Sequence, residues 1–150
     1  MNRLFFLLAL FVVTSAQAQP TLSKKEFSIN AFRAPSIGAE FRYQHVSVHA
    51  GYYLTAFSGV TNNFAKAGLT YWFLPVGKQP NPSSFYAGAS YLRGLDNDYK
   101  DLSALGIESG FRWMIWKGLN LRIGVIVVSA SGKSTQVNPA GGLSYSFFFD

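Results

Sequence analysis

In the stretch "RYQHVSVHAGYY" a base and a nucleophile, His45 and Ser47, stand two residues apart, and His49 follows. A histidine that takes the serine proton, oriented by a carboxylate such as Glu40, would make an ester-cleaving triad. Two other stretches hint at chemistry. "SGKST" (131–135) has the Gly-Lys-Ser of a phosphate loop. It lacks the upstream glycine of G-x-x-x-x-G-K-[ST] and follows a strand pattern without leading into a helix, so it reads as an external loop. "LDNDYKD" holds Asp96, Asp98 and Asp101. D-x-D opens a calcium loop, yet no completing glycine or glutamate follows, so an exposed loop is the better reading, with weak cation binding as the remainder. Cysteine is absent, which excludes disulfides and thiolate metal sites. The expectation is no catalytic residue, no metal and no cofactor.

Whatever positions these residues belongs to an exported chain. Arg3 precedes ten apolar residues, Leu4 to Val13, and Ala16-Gln17-Ala18 forms a small-x-small cleavage pattern. Residues 1–18 therefore read as a secretory signal peptide, removed before Gln19, with 19–150 as a single domain. Ten apolar residues are about half of the roughly 20 that a spanning helix needs, and no later run is longer. The mature part keeps 12 Lys and Arg against 7 Asp and Glu, a net charge of +5. The basic residues are scattered apart from Lys24-Lys25, which together with export argues against nucleic acid as a partner. Charged residues make up only 13% and aromatics 17%, whereas water-soluble domains carry about a quarter charged residues. Export, aromatics and glycine without a helical span suggest a membrane β-barrel.

Period-two alternation predicts eight strands, at 26–33, 36–43, 46–55, 64–73, 84–93, 104–115, 119–129 and 139–149. In 46–55, Val46, Val48, Ala50, Tyr52 and Leu54 share one face, and His45, Ser47, His49, Gly51 and Tyr53 share the other. In 104–115, Leu105, Ile107, Phe111 and Trp113 oppose Gly106, Glu108, Gly110 and Arg112. The other strands repeat the pattern: one face is apolar, and the other holds the charges and most glycines. A membrane barrel turns the apolar face to lipid and the polar face inward. Glycines on a narrow interior face would leave room for arginine and glutamate. With both termini on the periplasmic side, the connections at 44–45, 74–83 and 116–118 fall inside. Those at 34–35, 56–63, 94–103 and 130–138 fall outside. Outward Phe27, Phe41, Tyr43, Tyr71, Phe73, Phe85, Phe111, Trp113, Phe147 and Phe149 then cluster near the periplasmic ends, as an interfacial girdle would. Tyr53, Trp72, Tyr86 and Phe148 face inward near strand ends.

The chain resembles the small eight-stranded outer-membrane β-barrels of the OmpA/OmpX type. The resemblance spans residues 25 to 150 and rests on the export signal, the strand count and the end "LSYSFFFD", with alternating Tyr145, Phe147 and Phe149. Such an end resembles the terminal signal read by the barrel-assembly machinery, although here Asp150 follows the last aromatic. The resemblance implies an all-β, antiparallel up-and-down transmembrane barrel in the Gram-negative outer membrane, in contact with its lipid and lipopolysaccharide. It also implies an interior ion network, for which Glu40, Arg42, His49, Lys66, Glu108, Arg112 and Arg122 are the candidates.

The tight 116–118 turn should set Arg112 opposite Arg122, with Glu108 or Glu40 neutralising them. Glu40 is also placed to pair with His49. The expected role is structural, or interactive through loops 56–63, 94–103 and 130–138. "RYQHVS" is also similar to the His-x-Ser of barrel lipid A deacylases, which makes an esterase using His45 and Ser47 one alternative. A narrow anion-preferring, porin-like pore, from four bases against two acids, is another, and a soluble periplasmic ligand-binding barrel is a third.

Overall fold

The computed structural model describes residues 21–31, 37–57 and 59–149. The expected signal peptide, the Ala34-Pro35 connection and Asp150 lie outside the described residues.

Eight antiparallel strands run up and down in sequence order: β1 (Lys25–Ala31), β2 (Ile37–Tyr43), β3 (Val46–Phe57), β4 (Val60–Val76), β5 (Ser83–Gly94), β6 (Ser103–Trp116), β7 (Leu119–Ala130) and β8 (Gln136–Phe149). Each pairs with the next. β1 also pairs with β8, from Lys25 opposite Phe149 to Ala31 opposite Leu143, so the sheet forms a ring. No helix among the described residues is long and apolar enough to cross a membrane.

Strands form because successive side chains can be sorted to opposite faces, and the sorting follows the sequence closely. Along β3 the outward Val46, Val48, Ala50, Tyr52 and Leu54 are exposed, while Ser47, His49 and Tyr53 are buried. Along β6 Leu105, Ile107 and Trp113 face out, while Glu108 and Arg112 are buried. The ring is thus inverted relative to a water-soluble core. Ile37 is 70% exposed and Ile107 66%, whereas Arg42 is 2% and Lys66 2% exposed.

Several strands run longer than the sequence expectation, and β8 begins at Gln136 rather than 139. The polar stretch at 56–63 is not a loop. Ala56, Thr55 and Leu54 pair with Thr61, Asn62 and Asn63, so the β3–β4 hairpin continues to Phe57 opposite Val60. Ladder hydrogen bonds outweigh the local turn preference of Asn62 and Asn63 there. β4 likewise runs on to Val76, with a register irregularity between Phe73 and Val76. The connections at the two ends of the ring are therefore more alike in length than expected. One end has the turns at 44–45, 77–82 and 117–118; at the other lie 95–102 and 131–135.

The inward glycines act differently from the expectation. A Cβ on Gly124 would lie 2.2 Å from the Ser109 carbonyl oxygen and 2.8 Å from the Gly110 Cα. One on Gly110 would lie 2.3 Å from the Ile123 oxygen. These two glycines are register partners. Their main effect is to let neighbouring backbones approach, whereas a Cβ on Gly88 would also lie 3.4 Å from the Glu108 Cγ.

Candidate functional site

The charged side chains meet inside the ring. Glu26, on β1, accepts from Arg42 Nε at 2.9 Å through Oε2 and from Arg112 Nη1 at 2.7 Å through Oε1. Ser28 Oγ donates to the same carboxylate at 3.0 Å. Glu40, on β2, pairs with Arg122 at 2.6 Å and accepts from Ser47 Oγ. Lys66, on β4, donates to Glu108 Oε2 at 2.6 Å. All seven residues are buried. Removing an ion from water costs several kcal/mol, so three carboxylates set among four cations is the arrangement such an interior requires.

Trp72 is the centre around which they pack. Its ring lies 4.4 Å from the Arg112 guanidinium and 4.9 Å from that of Arg122, and its Nε1 donates to Ser47 Oγ at 2.8 Å. A guanidinium over an indole face is drawn by the ring quadrupole. β6 and β7 bring the two arginines together because the short turn at 117–118 puts Arg112 directly opposite Arg122, as the sequence expectation had it.

The pairing follows that expectation in part. Arg112 is met by Glu26, which sequence reasoning left out of the network. Arg122 is met by Glu40, while Glu108 serves Lys66. Glu26 could have been found from outward Phe27, its neighbour, since alternation turns Glu26 inward; it went unnoticed as the first residue of the first strand. His49 lies opposite Glu40 in register, yet its ring bonds elsewhere. Nε2 meets Ser90 Oγ at 3.0 Å and Nδ1 meets Thr70 Oγ1 at 3.2 Å.

His45 and Ser47 are not brought together. His45 sits in the Gln44–His45 turn, exposed, with Nδ1 on the Trp72 carbonyl at 2.8 Å and its ring 5.9 Å from that of Tyr71. Ser47 is 1% exposed inside the ring, its hydroxyl held between Glu40 and Trp72. The strand begins at Val46, so the alternation that carries Ser47 inward does not extend to His45. A base on the rim and a hydroxyl in the interior cannot exchange a proton directly.

Towards the end with the 95–102 connection the interior turns apolar. Tyr53, Phe57, Phe64, Leu92, Tyr99, Ile126 and Val128 form one buried cluster. Tyr99 belongs to a single 3-10 turn, Asn97–Tyr99, and its ring packs 5.2 Å from that of Phe57 and 5.3 Å from that of Phe64. The segment is fastened down. Asp96 accepts from the Asn63 backbone at 2.8 Å and from its side-chain amide, and Asn97 Nδ2 donates to the Thr61 carbonyl at 2.6 Å. Asp101 pairs with Arg93 at 3.2 Å. Asp96 and Asp101 thus bond within the fold, and no group of three potential metal ligands occurs among the described residues. Residues 131–135 form a short connection, as read from "SGKST", and place Lys133 Nζ 5.5 Å from the Tyr99 ring centroid.

The interior so formed is filled by side chains: Trp72, Arg42, Arg112, Tyr53, Phe64, Leu92 and Ile126 are all essentially inaccessible. Comparison with protein-family models, with curated proteins and with solved structures finds no match to this chain.

Proposed function

We propose that this chain is a non-enzymatic protein of the Gram-negative outer membrane, exported by a signal peptide at 1–18 and closed into an eight-stranded transmembrane barrel of the OmpA/OmpX type. Its role is structural, with surface interaction through the connections at 95–102 and 131–135. The observation that carries this reading is the inversion of the ring. Large apolar side chains cover the outside, including Ile29, Val48, Leu69, Leu105, Ile107, Ile123 and Val125, each more than half exposed. Charges are buried within. Soluble monomers rarely expose contiguous apolar patches beyond a few hundred Å², and lipid is the solvent that accepts such a surface.

The aromatic belt supports the same reading. Phe27 faces Phe41 on β2 and Phe147 on β8, and Phe85 faces Phe73 and Phe111. With Tyr43, Tyr71, Trp113, Trp116 and Phe149, these rings gather at the end of the ring that carries the short turns. Aromatic side chains favour the membrane–water boundary. β4, with 17 residues, is about 56 Å long at about 3.3 Å per residue, so even tilted it reaches past a ~30 Å hydrocarbon core. Insertion would proceed through the barrel-assembly machinery.

Two alternatives are weakened by the interior. A lipid A esterase would need His45 beside Ser47. An anion-preferring pore draws support from four interior cations against three carboxylates, but it would need a path past Trp72 and the Tyr53–Phe64–Tyr99 cluster. The deciding experiment is fractionation with heat-modifiable gel mobility. The unheated protein should co-fractionate with the outer membrane and run ahead of the heated form. Recovery in the periplasmic fraction, with mobility independent of heating, would overturn the proposal in favour of a soluble ligand-binding barrel.

A further inference from the structure

The exposed charges are divided unequally between the two ends of the ring. At the end with the 95–102 connection, Arg93, Lys100 and Lys133 are balanced by Asp96, Asp98 and Asp101. At the opposite end Lys24, Lys25, Lys78 and Lys117 are exposed, and no exposed carboxylate accompanies them among the described residues. The one other acid near that end in sequence, Asp150, lies outside them.

Lys24 is held in place. Its carbonyl accepts from Gln44 N at 2.8 Å, and the carbonyl of Ser23 accepts from the buried Arg42 at 3.2 Å. The Gln44–His45 turn is in turn fixed to β4, since Trp72 N donates to the His45 carbonyl at 2.7 Å. Between these elements runs an outward groove of about 840 Å³, whose lining includes Leu22, Lys24, Gln44, His45, Tyr71 and Leu74. The lining joins an exposed lysine on an anchored backbone and two polar groups to aromatic and aliphatic surface. Because a carbonyl can only accept, His45 Nδ1 carries the proton that binds the Trp72 carbonyl.

We propose that this groove binds the headgroup of an anionic phospholipid, with the phosphate at Lys24 and the glycerol and upper acyl chain against Tyr71 and Leu74. The site deepens the membrane reading and rests on it. In that orientation the short turns face the periplasm, so the lipid belongs to the inner leaflet. A groove whose lining is basic and polar in part and apolar in part, at the level of the aromatic belt, suits a molecule that is itself anionic at one end and apolar at the other. Lys25, Lys78 and Lys117, exposed at the same end of the ring, add a field of the same sign.

The test uses the full-length protein, folded in detergent micelles and supplied with equal amounts of phosphatidylglycerol and phosphatidylcholine of identical acyl chains. Native mass spectrometry then reads which lipid is retained. Phosphatidylglycerol should be retained in preference. Lys24→Gln should lower that preference by about fivefold, Lys24→Arg should preserve it, and Lys133→Gln at the other end should leave it unchanged. Equal retention of the two lipids, or a preference undiminished by Lys24→Gln, overturns the site. Insertion into vesicles of phosphatidylcholine alone is read in parallel, by flotation. Failure to insert there removes the membrane reading itself, whereas insertion without headgroup preference removes only this site.

Discussion

Glu26 is the residue on which two arginines depend. Its carboxylate meets Arg42 and Arg112 at once, at 2% side-chain exposure. Glu26→Gln leaves both guanidinium groups buried and short of a counter-charge, and breaking such a pair costs about 3–5 kcal/mol. Glu108→Gln should cost less, because Glu108 serves a single lysine, and a lysine can shed its proton when its partner is lost. Urea unfolding of the folded protein in micelles would read both; an equal shift in midpoint would mean that Glu26 is not the hub. At this scale the sequence was partly legible. Alternation alone placed Glu40, Arg42, Lys66, Glu108, Arg112 and Arg122 on the inner face, because strand side chains have only two directions. It could not say which acid meets which base. Glu40 stands opposite His49 in register, yet its carboxylate goes to Arg122 and Ser47, since long side chains cross the ring to partners on strands far away in sequence.

Among the elements, the segment at 95–102 carries the most specific geometry. Gly94 permits it. A Cβ there would lie 1.7 Å from the Tyr99 carbonyl oxygen and 2.5 Å from its carbon. Both are backbone atoms that cannot swing aside, so Gly94→Ala must displace the turn that seats Tyr99. The expected outcome is faster tryptic cleavage at Lys100 in the folded protein, by about tenfold if the latch loses ~1.4 kcal/mol of local stability, with heat-modifiable mobility retained. Cleavage at the parental rate would show that the segment accommodates the methyl group. The sequence suggested a polar loop here and at 56–63, and treated both as surface connections. Pairing extended the second into a hairpin, and Asn63 and Thr61 of that hairpin now hold the first through Asp96 and Asn97. Polar composition marks exposure to turn-forming chemistry, but it does not reveal whether a partner strand is present to satisfy the backbone.

For the molecule as a whole, the decisive property is an interior occupied, among the described residues, by inaccessible side chains. Its cations outnumber its carboxylates by one, yet Trp72 sits against two arginines and the Tyr53–Phe64–Tyr99 cluster closes the far end. Reconstituted in planar bilayers, the protein should give no steady conductance; resolved, anion-selective steps would replace the structural reading with that of a pore. The sequence by itself determined the class of this architecture. Period-two alternation over eight segments, with charges and apolar residues sorted to opposite faces, follows from the strand repeat and can be read without coordinates. The tertiary structure alone decided the rest: that β1 meets β8, that Glu26 enters the network, that His45 and Ser47 part company at the rim, and that an apolar cluster caps the charged interior. The physical reason is one of range. Alternation is set by neighbours two residues apart, whereas ion pairing and closure depend on register between strands, as between Glu26 and Arg112, 86 residues apart. No local pattern encodes that distance.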